Sequence, residues 1–105
     1  MRVIKKEPGA EPEIIEIENE LQALQDAVGG RIETVTFAED CCLICNEDYR
    51  YDDSEFNVQA LGTDFYGMVL MVGIEGEEFA DLDERYLNTC LRILGGAMRP
   101  LPAAE

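Results

Sequence analysis

The chain contains no histidine and no tryptophan, and Ser54 is its only serine. Histidine is the commonest general base and the commonest metal ligand in proteins, so an ordinary Ser-His-Asp triad is excluded. No phosphate-binding loop, dinucleotide-binding glycine motif or nucleophile elbow occurs either. We therefore expect no enzyme, and we assign no catalytic residue, no cofactor and no metal site.

Long apolar runs are also missing. The longest, Met68 to Ile74, has the length of a buried strand and is far shorter than the ~20 residues of a membrane span. The opening residues, MRVIKKEPG, include no apolar segment of the kind that secretory signals carry. These features predict a cytoplasmic protein with no membrane contact, in which the four cysteines are reduced thiols.

Basic residues are few. The chain has eight Lys and Arg residues and 23 Asp and Glu residues, which gives a net charge of −15. Such a charge repels nucleic acid and anionic membranes and attracts basic surfaces, although it could also serve solubility alone. Hydrophobic residues make up 47% of the 105 positions, which favours one folded domain over a disordered acidic tail.

Alternating apolar and polar residues predict most of the strands. A first strand and Glu13–Glu18 form a hairpin across the Pro8–Pro12 turn, and a turn near Glu39–Asp40 joins the next two strands. An apolar run then turns at Gly76 and returns through Phe79. The predicted strands cover residues 2–6, 13–18, 31–40, 41–45 and 68–74, with a brief return through Phe79, a strand or turn at 58–62 and a loop over 46–57.

Two helices are predicted from apolar residues at helical spacing. The first has Asn19 as its N-cap and ends at Gly29–Gly30. The second is capped by Asp81 or Asp83 and ends at Gly95–Gly96. We expect an α+β fold, in which two helices cover one face of a mostly antiparallel sheet of five to six strands. Residues 1–97 form this single domain, and residues 98–105 form a flexible tail.

The stretch DCCLICNED places three cysteines close together, at Cys41, Cys42 and Cys45. Cys42 and Cys45 have the spacing of half a zinc site, but a second such pair is absent. In a strand, Cys41 and Cys45 point to one face and Cys42 to the other, so Cys42 and Cys45 could not share an ion. We favour buried strand cysteines, with a metal site or a redox pair as the alternatives.

Acidic residues are concentrated in two segments. Residues 75–84 contain six acids and no base, and residues 39–55 contain seven acids and one base. Residues 39–55 also include Tyr49 and Tyr51, and Phe56 directly follows them. Aromatic side chains anchor interfaces and acids steer basic partners, so this segment is either a binding surface or one whose rings pack on the core.

Several stretches resemble a family of small proteins defined as a domain of unknown function. The stretches are MRVIKKEPG, EPEIIEIENELQALQDAVGGRIE, CLICNED and VLMVGIEGEEFADLDERYL. This family occurs in phages, plasmids and other mobile elements of gut Firmicutes, and it has no established catalytic residues. The acidic, aromatic loop at residues 49–63 departs from its pattern. The resemblance implies a bacterial host cell and a role in blocking host defence, and the chain looks like an anti-CRISPR candidate.

These observations predict an inhibitor of a basic nucleic-acid-binding protein, such as a type II CRISPR effector nuclease. Its acidic surface would imitate DNA in a basic groove, and it would not bind nucleic acid itself. The alternatives are an oligomeric sponge or sensor for a nucleotide or other small molecule, and a host-regulator partner. The sequence is also compatible with a homodimer that associates through Val69–Ile74 or through the last helix. The predicted partner-binding residues are Glu39, Asp40, Glu47, Asp48, Tyr49, Tyr51, Asp52, Asp53 and Glu55.

Overall fold

A computed structural model describes residues 1–48 and 54–95. Within these residues the chain forms eight strands and two helices. Tyr49, Tyr51, Asp52 and Asp53 lie outside the described residues, as does the predicted tail at 98–105. The elements are β1 (Arg2–Lys6), β2 (Glu13–Glu16), α1 (Leu21–Val28), β3 (Ile32–Ala38), β4 (Cys41–Asn46), β5 (Phe56–Ala60), β6 (Thr63–Tyr66), β7 (Val69–Glu75), β8 (Glu78–Ala80) and α2 (Glu84–Gly95).

Six strands form one antiparallel sheet in the order β2-β1-β7-β4-β3, with β8 also paired to β7. Strand β7 carries β4 on one edge. Its other edge is shared, because β1 pairs with residues 69–71 and β8 pairs with residues 73–75. Strands β5 and β6 form a separate hairpin. The α+β class, the mostly antiparallel six-stranded sheet and the two helices are confirmed.

The two helices lie on opposite faces of the sheet, whereas the sequence prediction placed both on one face. Leu24 and Val28 of α1 pack with Cys42 and Ile44 of β4 in one apolar cluster, the α1-side cluster. The second, the α2-side cluster, contains Cys90 and Leu94 of α2, alternate residues of β4 and residues of the β5–β6 hairpin. Because all six residues of β4 are buried, both faces of the sheet centre need a cover.

The helix ends differ in detail from the sequence prediction. Asn19 is not the N-cap of α1, because its side-chain amide donates to the carbonyl of Phe79 (2.7 Å) and Glu20 occupies the cap position without a side-chain bond. The stop at Gly29 is confirmed, since this residue has φ 85° and its N–H donates to the carbonyl of Gln25 (2.8 Å). Of the two candidate caps of α2, Asp83 accepts the N–H of Arg85 (2.9 Å).

The hairpin of β5 and β6 is only partly anticipated by the sequence. Strand β5 begins at Phe56, two residues before the predicted strand or turn, and β6 was not predicted at all. Its four residues, TDFY, are too few to show a period. The hairpin turns at Leu61 and Gly62, which have φ of 53° and 76°, as tight two-residue turns require. Phe65 of β6 is 1% exposed and packs in the α2-side cluster.

Two structural findings limit how the chain could associate. The strand Val69–Ile74, one of the two predicted self-association surfaces, lies inside the sheet with neighbours on both edges. Cys90 and Leu94, on the apolar face of the last helix, are buried within the protomer.

Over the described residues, no helix is both long enough and apolar enough to cross a membrane.

Gly73 in β7 should tolerate no side chain. A Cβ there would clash with the backbone carbonyls of Ala80 and Asp81, which cross close to it. We expect Gly73→Ala to lower the free energy of unfolding by about 3 kcal/mol or more, because backbone on both sides must shift. Urea denaturation measures this. Gly62→Ala is the matched control: it has φ 76° but open space around it, so it should cost only about 1 kcal/mol. Equal losses would contradict the clash.

Candidate functional site

The three clustered cysteines lie on one buried strand, as the sequence predicted. Cys41 and Cys45 face the α2-side cluster and Cys42 faces the α1-side cluster. All three are at most 2% exposed. Cys42 and Cys45 therefore point away from each other across the sheet, which rules out a shared ion in this conformation. Within residues 1–48 and 54–95, no group of three or more Cys, Asp or Glu side chains is arranged to hold a metal.

Cys90 of α2 contacts Cys41 of β4. A hydrogen bond between the two thiols, together with burial, raises the pKa of Cys41. Burial raises the pKa of Cys42 to about 11. The same hydrogen bond with Cys41 lowers the pKa of Cys90, which is fully buried. Thiolates are the reactive form of cysteine, so the raised pKa values of Cys41 and Cys42 and the burial of all four thiols favour small apolar side chains over a nucleophile or a redox pair.

The cysteines should be unreactive in the folded protein. With 5,5′-dithiobis(2-nitrobenzoate) at pH 8, we expect slow modification of the native chain and fast modification of all four thiols in guanidinium. Stopped-flow absorbance measures both rates. A thiol that reacts in the native protein as fast as in the unfolded chain would contradict the buried assignment. Cys42→Ala, which removes a thiol from the α1 side alone, reports how much of the rate belongs to that residue.

The structure does not bring the predicted partner-binding residues together. Glu39 and Asp40 lie in the turn before β4, whereas Glu47 and Asp48 follow its last residue. Six strand residues separate the two pairs, which corresponds to about 20 Å at ~3.3 Å per residue. Glu55 lies with the second pair, because its carbonyl accepts the N–H of Gly67 (2.8 Å), shortly before β7 begins. The described part of this set is therefore divided between two ends of the sheet.

Glu39 is instead joined by acids from the other acidic segment. The carbonyl of Asp40 accepts the N–H of Ile74 (2.9 Å), so the turn before β4 lies beside the turn between β7 and β8. Helix α2 also begins here, since its Arg85 pairs with Asp40. We define the acidic end as five exposed carboxylates that make no ion pair with any described residue. They are Glu39, Glu75, Glu77, Glu78 and Glu84.

Asp40 has a structural role at the edge of the acidic end. The Tyr86 hydroxyl donates to its Oδ1 (2.7 Å), and the Arg85 guanidinium donates to its Oδ2. Arg85 also stacks over the Tyr86 ring, 5.1 Å from its centroid. The Tyr86 hydrogen bond and then the charge of Arg85 hold the pKa of the Asp40 carboxyl below its usual value. This network ties the start of α2 to the turn before β4, so Asp40 is already paired within the chain.

The Tyr86–Asp40 bond should make stability depend on pH. Because the folded pKa of Asp40 is lowered from 3.8, its ionised form stabilises the fold above that pH, and the contribution is lost as pH falls through the folded pKa. We expect Tyr86→Phe to lower the melting temperature at pH 7, and the difference from wild type to shrink below pH 4. Differential scanning calorimetry from pH 2 to 7 measures both. A difference that stays constant over this range would contradict the linkage.

Lys6 is a buried cation that the sequence prediction missed. It is the last residue of the first strand, and it is only 2% exposed. Its ammonium donates to Asn57 Oδ1 and to the carbonyl of Glu7 (both 2.9 Å), and the amide of Asn57 donates back to the carbonyl of Lys6 (2.7 Å). Desolvation lowers the pKa of Lys6. The alternation of β1 puts Lys6 on the face of Ile4, which was the one available signal for its burial.

The other basic side chains are dispersed. Arg31 pairs with Glu47 (3.4 Å), Lys5 pairs with Glu7 (3.0 Å) and with Glu13, and Arg2 donates to the carbonyl of Leu82 (2.9 Å). Arg31 lines a shallow depression of about 510 Å³ at the end of α1, with Gln22, Gln25, Asp26, Gly29 and Gly30. One arginine beside a helix C-terminus and an aspartate is a poor receptor for an anion.

Comparison with known proteins identifies the family and nothing more specific. Residues 1–94 match the family described as a domain of unknown function, DUF3846, and the chain belongs to it. No curated protein and no solved structure matches the chain.

Proposed function

We propose that this protein is a non-enzymatic anti-defence protein of a phage or mobile element. In this proposal it acts in the bacterial cytoplasm and inhibits a basic nucleic-acid-binding protein, such as a type II CRISPR effector nuclease. The acidic end would occupy a groove that normally holds DNA. The observation that carries the proposal is the convergence of carboxylates from three chain segments at one end of the sheet, without neutralising partners among the described residues.

Three carboxylates of the acidic end lie in strands or a helix, and the other two lie in turns next to strands. Glu75 and Glu78 face each other as the last pair of the β7–β8 ladder, and Glu77 lies in the turn between them. Glu39 precedes β4, and Glu84 is the first residue of α2. A fixed array costs less conformational entropy to bind than charges on a mobile tail. Alternate strand residues are spaced by ~6.7 Å, so such an array has a lower charge density than DNA, which carries one charge per ~1.7 Å of axis.

The partner chemistry follows from this array. Arginine and lysine side chains that read base edges or hold phosphates are the groups that fit exposed carboxylates. In an RNA-guided nuclease these are the arginines that read the protospacer-adjacent motif and the channel for the heteroduplex. Asp40 is less suited to this role than the sequence suggested, because Arg85 and Tyr86 already hold its carboxylate.

The alternative, an oligomeric sponge or sensor for a nucleotide, receives less support. An anionic ligand needs several cations that converge. Over the described residues, Lys6 is buried, and Lys5, Arg31 and Arg85 each pair with acids of the same chain. A nucleotide that co-purifies with the protein and is detected by mass spectrometry would favour this alternative.

Charge reversal tests which end of the sheet binds. The triple variant Glu75→Lys/Glu77→Lys/Glu78→Lys should weaken binding to a type II effector nuclease, loaded with guide RNA, by at least about 100-fold. Its matched control, Glu47→Lys/Asp48→Lys/Glu55→Lys, changes the net charge equally at the opposite end and should bind within a few-fold of wild type. Biolayer interferometry measures both, and affinity of the wild type should fall steeply as salt rises from 0.05 to 0.5 M.

Each other outcome is informative. Loss of binding in the control triple alone would return the site to the segment around Glu47 and Asp48. Equal losses in both triples would mean that only the overall charge matters. A wild-type complex that is insensitive to salt, or absent with and without guide RNA, would refute mimicry of DNA for the nuclease tested.

A further inference from the structure

Strand β3 is an open edge of the main sheet. It pairs with β4 on one side, and among the described residues no strand pairs with its other side. The ladder fixes which backbone groups point outward. The Glu47 N–H donates to the Arg31 carbonyl (2.7 Å), so Arg31, Glu33 and Val35 direct their backbone groups toward β4. The alternate residues Ile32, Thr34 and Thr36 therefore direct their N–H and C=O groups away from the sheet.

This edge carries few of the features that prevent edge-to-edge pairing. The opposite edge, β2, has four residues with a glutamate at each end. Strand β3 has seven residues, Glu33 is its only charged residue, and it contains no proline. Thr34 and Thr36 are exposed, and β-branched residues of this kind pair well across strands. The β3–β4 ladder has one irregularity, between Thr36 and Ala38, and is regular from Ile32 to Thr36. A long and weakly charged edge of this kind is a template for another strand.

We propose that β3 pairs antiparallel with β3 of a second copy, so that two sheets become one continuous sheet across a two-fold axis. With Thr34 opposite Thr36 of the second copy, the outward groups of one strand meet those of the other, and no Glu33 faces another Glu33. Arg31 precedes β3 and Glu39 follows it, and both are exposed. Arg31 pairs with Glu47 of its own chain (3.4 Å). The antiparallel arrangement brings Arg31 of each copy toward Glu39 of the other, beyond the irregularity at Thr36–Ala38, so that each arginine lies between two carboxylates and the dimer gains two ion pairs between the copies.

The net charge of −15 per copy opposes association at long range. Salt screens this repulsion, so self-association should not weaken as salt rises. This direction is opposite to the one expected for a complex with a basic partner, and the two kinds of binding can be told apart by it. The self-association does not depend on the proposed function, because its hydrogen bonds use backbone groups of β3, and Glu39 is the one residue that belongs to both surfaces.

A backbone test removes one outward donor. Thr34→Pro deletes the outward N–H of residue 34 and leaves the β4 ladder bonds in place, as proline on an edge strand allows. Thr34→Val keeps the N–H and is the matched control. Sedimentation velocity from 10 µM to about 1 mM covers the weak affinities of small interfaces. We expect wild type and Thr34→Val to dimerise, and Thr34→Pro to dimerise at least about tenfold more weakly. Circular dichroism confirms that each variant is folded.

A charge exchange tests the antiparallel geometry without proline. Arg31→Glu alone should weaken the dimer by roughly tenfold, because two attractions become two repulsions. The double variant Arg31→Glu/Glu39→Arg should restore it. A wild type that is monomeric over the whole range would overturn the proposal. So would a folded Thr34→Pro variant that dimerises as well as wild type, or a double variant that is no tighter than Arg31→Glu.

Discussion

Strand β7 fixes the positions of the surrounding elements. Its residues Val69 to Gly73 are all buried, with β4 along one edge and β1 followed by β8 along the other. The shared edge is possible because the chain after β8 passes close to Gly73, where any side chain would meet backbone. That passage leads to Leu82, whose N–H donates to the Arg2 carbonyl (2.8 Å), and so to the start of α2. The turn before β4, the β7–β8 turn and the N-terminus of α2 meet at one end of the sheet for this reason.

The sequence predicted the elements better than their arrangement in space. Alternation was enough for β2 and β3, and the two-residue period of a strand gave the face that each of Cys41, Cys42 and Cys45 takes. The choice of helix faces was wrong, because a continuous apolar strand such as β4 gives no sign of which helix covers which side. Its burial on both faces nevertheless requires a cover on each, and this signal could have been used. The burial of Lys6 depends on Asn57, which is 51 residues away, and local pattern cannot show such a contact.

For the acidic residues too, closeness in the sequence did not predict closeness in space. Grouping acids by sequence joined Glu39 to Glu47, which strand β4 holds about 20 Å apart by its length. Folding instead placed Glu39 beside the turn that contains Glu77, because antiparallel pairing brings the ends of neighbouring strands together. The folded structure also shows which acids have hydrogen-bonding partners within the chain and which do not. Asp83 caps a helix and Asp40 accepts a tyrosine hydroxyl, whereas the carboxylates of the acidic end face solvent.

Lys5 and Lys6 differ in solvent exposure, and this difference determines which of them a chemical label can reach. Lys6 is enclosed with its ammonium bonded to Asn57, whereas the side chain of Lys5 is 24% exposed beside Glu7 and Glu13. Of these two amines, an acylating dye or a carboxyl-activated sensor chip reaches only Lys5. Lys5 lies opposite Leu70 in the β1–β7 ladder, and Glu75 is five residues further along β7, or about 17 Å at the rise of a strand. A chain attached through Lys5 therefore presents the acidic end to the solution, unmodified.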